Sequence, residues 1–410
     1  MFPLGVLVYI RLNVLDLYLG TTIFSWGGRL FKKVSAESFK SALAGFSLMR
    51  VFLDNGSTTQ VAPEVLSAMR PFFSVKFGNP QSLHSWGREA SDAISSARNI
   101  IAKKAKVSPE EVIFTSGGSE ANNSAIFGVA KALHKKGKHI ITSQIEHSSV
   151  LESCRQLEKD GFQVTYVPVS RDGIVKLDSL KSAIRKDTIL VSIMHANNET
   201  GVIQPVKEIS SLCKENRILF HTDAVQSFCK AELPVADLIS ISAHKIHGPK
   251  GVGALIIRES TPFVPLLFGG PHEFSKRAGT QNVPNIVGFA KAVEFFTEED
   301  VKRMKELRDY FVSQLSDVSV LNGSPNRLCN NAHLGFKGKE SEALLLSLDE
   351  KGVACSMGSA CNSSQLEPSH VLKAMNLSSD LMRSSLRFVL SKYTAKEELD
   401  YAVKSIRECL

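Results

Sequence analysis

The sequence of residues 239–251 is Ile-Ser-Ile-Ser-Ala-His-Lys-Ile-His-Gly-Pro-Lys-Gly. An apolar, β-branched run ends in Ser-Ala-His-Lys and is followed by a turn rich in Gly and Pro. The pattern predicts a buried strand that places Lys245 at the rim of a sheet. A lysine in that position can lose its charge by desolvation and form a Schiff base with an aldehyde cofactor. Taken alone, Lys245 is better explained as a surface lysine beside a turn, so its meaning depends on the rest of the chain.

The segments around this stretch alternate between strand and helix patterns. Strands are predicted at 111–115, 139–142, 163–167, 188–194 and 218–222, and helices at 87–106, 121–135 and 206–216. Residues 252–257 are expected to pair antiparallel beside the strand of Lys245. This order predicts an α/β fold with a mostly parallel sheet covered by helices on both faces. Active sites in such sheets lie at the carboxyl ends of the strands.

The last third of the chain has a different pattern. A long helix is predicted from residue 298 to about 316. After it comes a smaller α+β region, built from the segments 332–336, 341–351, 370–375, 385–389 and 396–408. We therefore expect a large domain of residues 51–295 and a smaller C-terminal domain of residues 296–410.

Charge separates the first fifty residues from the rest of the chain. They carry six basic and two acidic side chains, and so contribute half of the net charge of +8. The excess left for residues 51–410 is too small to indicate a nucleic-acid surface, and no basic-aromatic motif supports one.

Residues 1–50 are excluded from the fold prediction. They contain no uncharged run of 18 residues, which argues against a transmembrane helix. Their Arg, Lys and Ser content is compatible with an organelle-targeting segment, but an over-long gene start, with Met49 as the natural first residue, is favoured. We expect a bacterial-like cytoplasmic location, with a mitochondrion or a related organelle as the alternative.

The cysteines indicate a reducing compartment. There are seven, at widely spaced positions, and no pair of them has zinc-site spacing. A disulfide framework is not expected in a chain of 410 residues with an odd number of cysteines.

Three motifs follow predicted strands and carry chemical groups. In residues 115–120 a strand runs through Gly118 and Ser119 into a helix, which makes an anion site suited to a phosphate, although many such turns bind nothing. Asp223 at a strand end could pair with a pyridinium nitrogen or cap a helix. His147 could stack on a cofactor ring or move protons near pH 7, although a single histidine is more often structural.

A fourth motif surrounds Cys361. Residues 358–364 are Gly-Ser-Ala-Cys-Asn-Ser-Ser, and residues 366–370 are Leu-Glu-Pro-Ser-His. A thiol in a segment so rich in Gly and Ser can swing toward a site and away from it again. Cys355 lies six residues earlier in an apolar run and is interpreted as a buried structural thiol.

In this order, the four motifs resemble the cysteine desulfurases of the NifS/IscS type, within the fold-type I enzymes that use pyridoxal phosphate. The resemblance covers nearly all of residues 51–410. It includes residues 52–59, 78–84, 197–201, 277–280 and 384–388. The Gly-Ser-Ala-Cys-x-Ser motif, followed by Leu-Glu-Pro-Ser-His, is the most specific part and matches the branch with the long cysteine loop.

The resemblance implies a binding mode for pyridoxal phosphate. Lys245 would hold the cofactor and then act as the acid and base, while Asp223 would pair with the pyridine nitrogen. Gln226 would bond to the ring hydroxyl, and His147 would stack on the ring. The remaining cofactor ligands would be Asn198 and the phosphate ligands Gly118, Ser119, Ser242, His244 and Thr280. Thr280 would reach the phosphate of the neighbouring subunit, so a homodimer is implied.

The resemblance also implies a reaction. Asn198 and Arg387 would bind the carboxylate of L-cysteine. Cys361 would take the sulfur atom as a persulfide, which leaves alanine, and would pass it to an iron–sulfur scaffold or another acceptor protein. A transient iron–sulfur ligand role for Cys361 is a further implication.

Two departures and three alternatives remain at this point. Ser119 stands where the family often has Thr, and Ala278 where Ser is common. A selenocysteine lyase or another class-V aminotransferase is the alternative enzyme, although an aminotransferase would not need the Cys361 motif. A non-catalytic sulfur-relay scaffold would be expected to have lost Lys245 or Cys361, and this chain has both.

Overall fold

The computed structural model describes residues 49–358 and 369–410, together with the backbone of one hairpin nearer the start of the chain. Residues 1–49 form a unit separate from residues 50–410. In the first unit, β1 (Ser25–Trp26) pairs antiparallel with β2 (Arg29–Leu30). Most of the predicted N-terminal extension lies outside the described residues, and so does Cys361.

A seven-stranded sheet forms the centre of the second unit. After β3 (Val51–Phe52), its strands are β4 (Val112–Thr115), β5 (His139–Ser143), β6 (Gln163–Val167), β7 (Thr188–Ser192), β8 (Leu219–Asp223), β9 (Leu238–Ser242) and β10 (Gly253–Ile257). They lie in the order β4-β10-β9-β8-β7-β5-β6. β10 is antiparallel to β4 and β9, and the strands from β9 to β6 are parallel to one another. The predicted mostly parallel sheet, with an antiparallel strand beside that of Lys245, is confirmed.

Helices cover both faces of this sheet. The helices of the described residues are α1 (Pro63–Met69), α2 (Pro71–Ser74), α3 (Ser85–Ala105), α4 (Gly118–Leu133), α5 (Ser148–Lys159), α6 (Leu177–Ala183), α7 (Val206–Glu215), α8 (Val283–Phe295), α9 (Glu298–Ser313), α10 (Ser341–Glu350), α11 (His370–Ala374), α12 (Ser379–Arg383) and α13 (Lys396–Cys409). Alternate strand residues point to opposite faces: Ile113 and Ile140 pack against α4 and α5, whereas Phe114 and Ile141 pack against α3, α7 and α8. Burial on both faces explains the apolar residues inside these strands, such as Ile140-Ile141 and Ile189-Leu190-Val191.

Two element ends differ from the prediction and matter for chemistry. The strand that precedes Lys245 ends at Ser242, and Ala243–Lys245 form a 3₁₀ turn. The helix predicted to begin at residue 121 begins at Gly118, because Gly117 adopts a φ of 153° and turns the chain directly from β4 into α4.

A second core lies in the C-terminal region. β11 (Val320–Leu321), β12 (Asn331–Gly335) and β14 (Ser385–Val389) form an antiparallel sheet, while β13 (Val353–Ala354) pairs in parallel with β3. Val51 and Leu53 are buried in this core beside Phe388. The start of the unit is thus anchored in the C-terminal region before the chain enters the large sheet. The division at 295/296 remains a prediction.

None of the described helices is long and apolar enough to cross a membrane.

A buried ion pair joins α3 to the loop before α8. Both guanidinium Nη atoms of Arg98 donate to the carboxylate of Glu273, at 2.7 and 2.9 Å. That carboxylate also accepts from the Phe114 N–H and from the side chain of Gln281. Glu273, Phe274 and Ser275 all have positive φ, so the pair holds a left-handed turn against the edge of the sheet.

We expect Arg98→Leu to lower the free energy of unfolding by about 3–5 kcal/mol, because Glu273 would remain buried without its cation. The measurement is urea unfolding followed by circular dichroism. The control, Arg407→Leu, breaks an exposed pair with Asp317 and should leave the free energy of unfolding nearly unchanged. Equal losses for the two variants would contradict the importance of the buried pair.

Candidate active site

Lys245 lies at the carboxyl edge of the sheet and is held by two carbonyl groups. Its Nζ donates to the backbone oxygens of Gly56 at 2.6 Å and Ser57 at 2.7 Å. Burial, together with the positive charges of Arg387 and Lys230, lowers the pKa of Lys245 to about 7, while Asp54 and Asp223 act in the opposite direction. An uncharged, nucleophilic amine is therefore well populated at neutral pH.

The segment Asp54–Thr59 forms one wall of the site. Gly56 O accepts from Gln226 Nε2 at 3.0 Å as well as from Lys245, and Thr59 Oγ1 donates to the backbone oxygen of His244. Gly56 has no room for a side chain, since a Cβ there would lie 2.9 Å from Val389. In the sequence these residues belong to the family resemblance at 52–59, which implies no role for them. The available signal was a polar run, Asp-Asn-Gly-Ser-Thr-Thr, directly after an apolar strand.

Asp223 is the last residue of β8 and is buried. Its Oδ1 accepts the N–H of Val225 at 2.9 Å, and its Oδ2 accepts from Asn122 Nδ2 at 2.7 Å. The bond from the Val225 N–H is local, as expected of a helix-capping aspartate. The bond from Asn122 is not local, because Asn122 lies in α4, far away in sequence.

His147 caps the amino end of α5 and is half-buried. Its Nδ1 accepts the N–H of Ser149 at 3.2 Å and lies 2.8 Å from the hydroxyl of the same residue. Burial lowers the pKa of His147; Asp223 opposes this, while Lys245 and His370 add to it. The imidazole is therefore expected to be neutral at pH 7.

An anion cradle lies where β4 and β9 end. Gly118 opens α4, whose first N–H groups have no partner within the helix, and Ser119 is exposed beside it. The hydroxyl of Ser242 is buried with no hydrogen-bond partner among the described residues. His244 lies 3.2 Å from the hydroxyl of Thr58, and burial, reinforced by Lys245, lowers its pKa to about 3, so it is a neutral ligand. An orphaned buried hydroxyl beside a helix terminus fits a phosphate group.

Arg387 lies in β14 at the opposite side of the site. Its Nη2 donates to Asp54 Oδ1 at 2.8 Å and to Ser57 Oγ at 2.7 Å, and its Nη1 donates to the backbone oxygen of Asn198 at 2.9 Å. Its Nε is buried without a partner among the described residues. A guanidinium with a free, desolvated donor fits a substrate carboxylate. Asn198 is adjacent, as the resemblance implies.

Gly358 and Ser369 are the described residues on either side of the segment that carries Cys361, and Glu199 lies near both of them. Glu199 Oε2 accepts from Ser369 Oγ at 2.5 Å, and the same oxygen would lie 2.9 Å from a Cβ placed on Gly358. Cys355 is half-buried, and burial raises the pKa of its thiol to about 12, with Asp54 contributing in the same direction. Cys355 is therefore a poor nucleophile, in keeping with the structural role predicted for it.

Thr280 is the predicted ligand that the structure does not bring to the site of its own chain. It is exposed, and its neighbour Gln281 bonds to Glu273. The same loop contacts α4 through Arg277, which donates to both carboxylate oxygens of Glu120 at 2.9 and 3.2 Å. The structure thus brings together Lys245, Asp223, Gln226, Arg387 and Asn198, and its placement of Thr280 is compatible with a role toward a second subunit.

Among the described residues, no group of three or more His, Cys, Asp or Glu side chains is arranged to hold a metal ion. The predicted iron–sulfur role of Cys361 lies outside those residues.

The family model for class-V aminotransferases matches residues 51–402. A protein named cysteine desulfurase IscS, from Dictyoglomus turgidum, is 53% identical over 366 residues, which cover 86% of this chain and 92% of that protein. A protein of the same name from Methanosarcina thermophila is 48% identical over 368 residues, covering 87% of this chain and 91% of that protein.

Solved structures show the same relationship. A NifS-like protein matches with a TM-score of 0.83 at 40% identity, over 88% of this chain and 99% of that one. The structure of SspA in complex with cysteine matches with a TM-score of 0.77 at 38% identity, over 84% of this chain and 100% of that one. The resemblance to the NifS/IscS type and the fold-type I architecture are confirmed. The chain belongs to the class-V aminotransferase family.

Proposed function

We propose that this protein is a cysteine desulfurase that uses pyridoxal phosphate to convert L-cysteine to L-alanine and leaves the sulfur atom on Cys361 as a persulfide. The observation that carries the proposal is the grouping of a lysine of pKa about 7 with a buried aspartate and a neutral histidine at one sheet edge. The relatives named cysteine desulfurase IscS and the solved complex of SspA with cysteine support the choice of substrate.

When bound, pyridoxal phosphate supplies an electron sink that weakens the Cβ–S bond of the substrate. Asp223 would supply the negative charge opposite the pyridine nitrogen, since its carboxylate is buried and keeps its hydrogen bonds from Asn122 and Val225. The phosphate would lie against Gly118, Ser119, Ser242 and His244. Lys245 would anchor the cofactor and then carry protons at Nζ, a role suited to an amine that gains and loses a proton near pH 7.

Arg387 and Asn198 would orient the substrate. Arg387 is already fixed by Asp54 and Ser57, so little entropy is lost when a carboxylate binds. The bound amino acid is thereby placed with its α-carbon toward Lys245, whose Nζ shares the Asp54–Thr59 wall with Arg387.

The sulfur transfer to Cys361 requires no oxidant. The Cys361 thiolate attacks the sulfur of bound cysteine, an S–S bond forms as the Cβ–S bond breaks, and the electron pair returned to Cβ takes a proton to give alanine. The high pKa of Cys355 leaves Cys361 as the thiol suited to this step. The persulfide would then pass to an acceptor protein for iron–sulfur clusters or thio-cofactors.

A homodimer is part of the proposal. Large apolar side chains are exposed in two stretches, residues 66–86 and 267–274: Leu66, Phe73, Val75, Phe77, Leu83, Trp86, Leu267, Phe268 and Phe274. Both stretches contribute to one cavity of about 290 Å³, between Pro80 and Phe274. Apolar surface of this extent supports a protein interface, and Thr280 lies in the loop that follows it.

The compartment is proposed to be reducing. The six cysteines within the described residues are all free thiols, as cytosolic proteins commonly have.

Cofactor uptake by the apo-protein should follow the uncharged fraction of Lys245. With a pKa of about 7, the uptake rate should fall about tenfold for each pH unit below 7 and level off above it. Lys230→Met removes a positive charge that lowers this pKa, so the pKa should rise and the plateau should move to higher pH. Stopped-flow absorbance of bound pyridoxal phosphate measures the rate.

Lys305→Met, an exposed position in α9, is the matched control and should leave the pH profile unchanged, while Lys245→Ala should remain colourless. An unchanged profile for Lys230→Met would show that its charge does not act on Lys245.

Cys361→Ser should bind pyridoxal phosphate and L-cysteine normally but release sulfide at less than about 1% of the wild-type rate, because a hydroxyl cannot accept the sulfur. Cys355→Ser should retain most of the activity. Alanine and sulfide release from L-cysteine are measured together, with L-selenocysteine in parallel. Near-normal turnover by Cys361→Ser would overturn the assignment of the nucleophile, and a preference for L-selenocysteine would favour the lyase alternative.

Subunit mixing tests the homodimer and Thr280 together. Homodimers of Thr280→Ala and of Lys245→Ala should both be impaired, the first in cofactor affinity and the second in all turnover. In a mixed dimer, the Thr280→Ala subunit keeps Lys245 and receives an intact Thr280 from its partner, so one of the two sites is complete. Activity well above that of either parent is expected. A monomeric protein by light scattering, or no recovery on mixing, would contradict the proposal.

A further inference from the structure

Asn122 lies in α4 and donates to the buried carboxylate of Asp223. Its side chain is almost completely buried, with 1% exposure. Nδ2 donates to Asp223 Oδ2 at 2.7 Å and to Ser149 Oγ at 2.9 Å, whereas Oδ1 has no partner among the described residues. Because Oδ1 is unpaired, the two hydrogen bonds donated by Nδ2 fix the orientation of this buried amide.

Hydrogen bonds link Asp223, Asn122, Ser149 and His147 in series, and the direction of each bond follows from the donors available. An amide nitrogen carries two hydrogens and no acceptor, so Asn122 donates to both partners. Ser149 Oγ accepts from Asn122, and its single proton is free to point at His147 Nδ1, 2.8 Å away. The Ser149 N–H is directed at the same nitrogen at 3.2 Å. His147 Nδ1 therefore accepts, and the proton of the neutral ring is on Nε2.

The opposite arrangement is excluded while Asp223 is ionised. Rotating the Asn122 amide by 180° would place Oδ1 against the carboxylate at the present 2.7 Å. It would also leave Ser149 Oγ without its donor. Two oxygen acceptors in contact at a buried position are strongly unfavourable.

We infer that Asn122 is a positioning residue, which couples the charge of Asp223 to the tautomer of His147 through Ser149. His147 then presents Nε2–H to the bound molecules as a hydrogen-bond donor. A proton at Nδ1 would compete with both the hydroxyl and the backbone N–H of Ser149, and this agrees with the lowered pKa of His147. The role in catalysis rests on the proposed function, but the tautomer does not.

The test uses the holoenzyme labelled with ¹⁵N-histidine, in which ¹⁵N chemical shifts show which ring nitrogen of His147 carries the proton. The spectrum of His147→Gln identifies its signals. The wild type should show a protonated Nε2 and a bare Nδ1. Asn122→Leu removes both donors at similar volume and should give a mixture of the two tautomers. Ser149→Ala should do the same while leaving the bond between Asn122 and Asp223 intact.

Cofactor affinity distinguishes the effect of Asn122 on Asp223 from the effect of Ser149 on His147. Asn122→Leu should weaken pyridoxal phosphate binding by about tenfold or more, because the Asp223 carboxylate loses a buried donor. Ser149→Ala should change it by less than about threefold. Asn330→Leu is the matched control. Asn330 is also buried, and among the described residues its side chain donates to the backbone oxygen of Leu390, so neither the tautomer nor the affinity should change.

A proton on Nδ1 in the wild type would overturn the inference, and so would an unchanged His147 spectrum in both variants. Should Asn122→Leu fail to fold, Ser149→Ala still decides the tautomer. A protein that shows the Nε2–H tautomer but releases no sulfide from L-cysteine would support this inference while contradicting the proposed function.

Discussion

The pair of hydrogen bonds from Lys245 to the carbonyls of Gly56 and Ser57 is the contact on which the site depends. It brings the turn after β9 against a segment that lies almost 190 positions earlier in the sequence. That segment is in turn held by the C-terminal region, since Asn55 bonds to the backbone of Val389 and Arg387 bonds to Asp54. The reactive lysine is thus buried only when the beginning, the middle and the end of the unit are packed together.

Burial has an electrostatic consequence that the same contacts control. Lys245, Arg387 and Lys230 are cations within one site, and Asp54 and Asp223 are the anions that oppose them. Because water is largely excluded, the like charges lower the pKa of Lys245 more than the two carboxylates raise it. Asp54 engages Arg387 directly, so one of the anions is committed to the group that would bind the substrate carboxylate. With Lys245 uncharged, the two remaining cations and the two carboxylates balance, so the net charge of the site depends on the protonation of Lys245.

Much of this could be predicted from local patterns. The strand before Lys245, the turn at Gly118 and the positions of Asp223 and His147 all follow from apolar runs that end in polar residues, and parallel strands bring such ends to one edge. The roles of Asp54, Asn122 and Ser149 could not be predicted in this way. Each depends on a contact between elements distant in sequence, and a buried asparagine in a helix looks the same in sequence whether or not an aspartate faces it.

The same reasoning explains why the two nearby thiols differ. Cys355 lies directly after β13, which pairs with β3, and burial together with the charge of Asp54 keeps its proton in place. Its backbone is tied to the sheet, because the next residue, Ser356, exchanges hydrogen bonds with Arg387. A thiol that must accept sulfur from a bound amino acid and then deliver it to another protein requires both a lower pKa and a longer reach. The proposed role therefore falls to Cys361, which follows Gly358 in the segment rich in Gly and Ser.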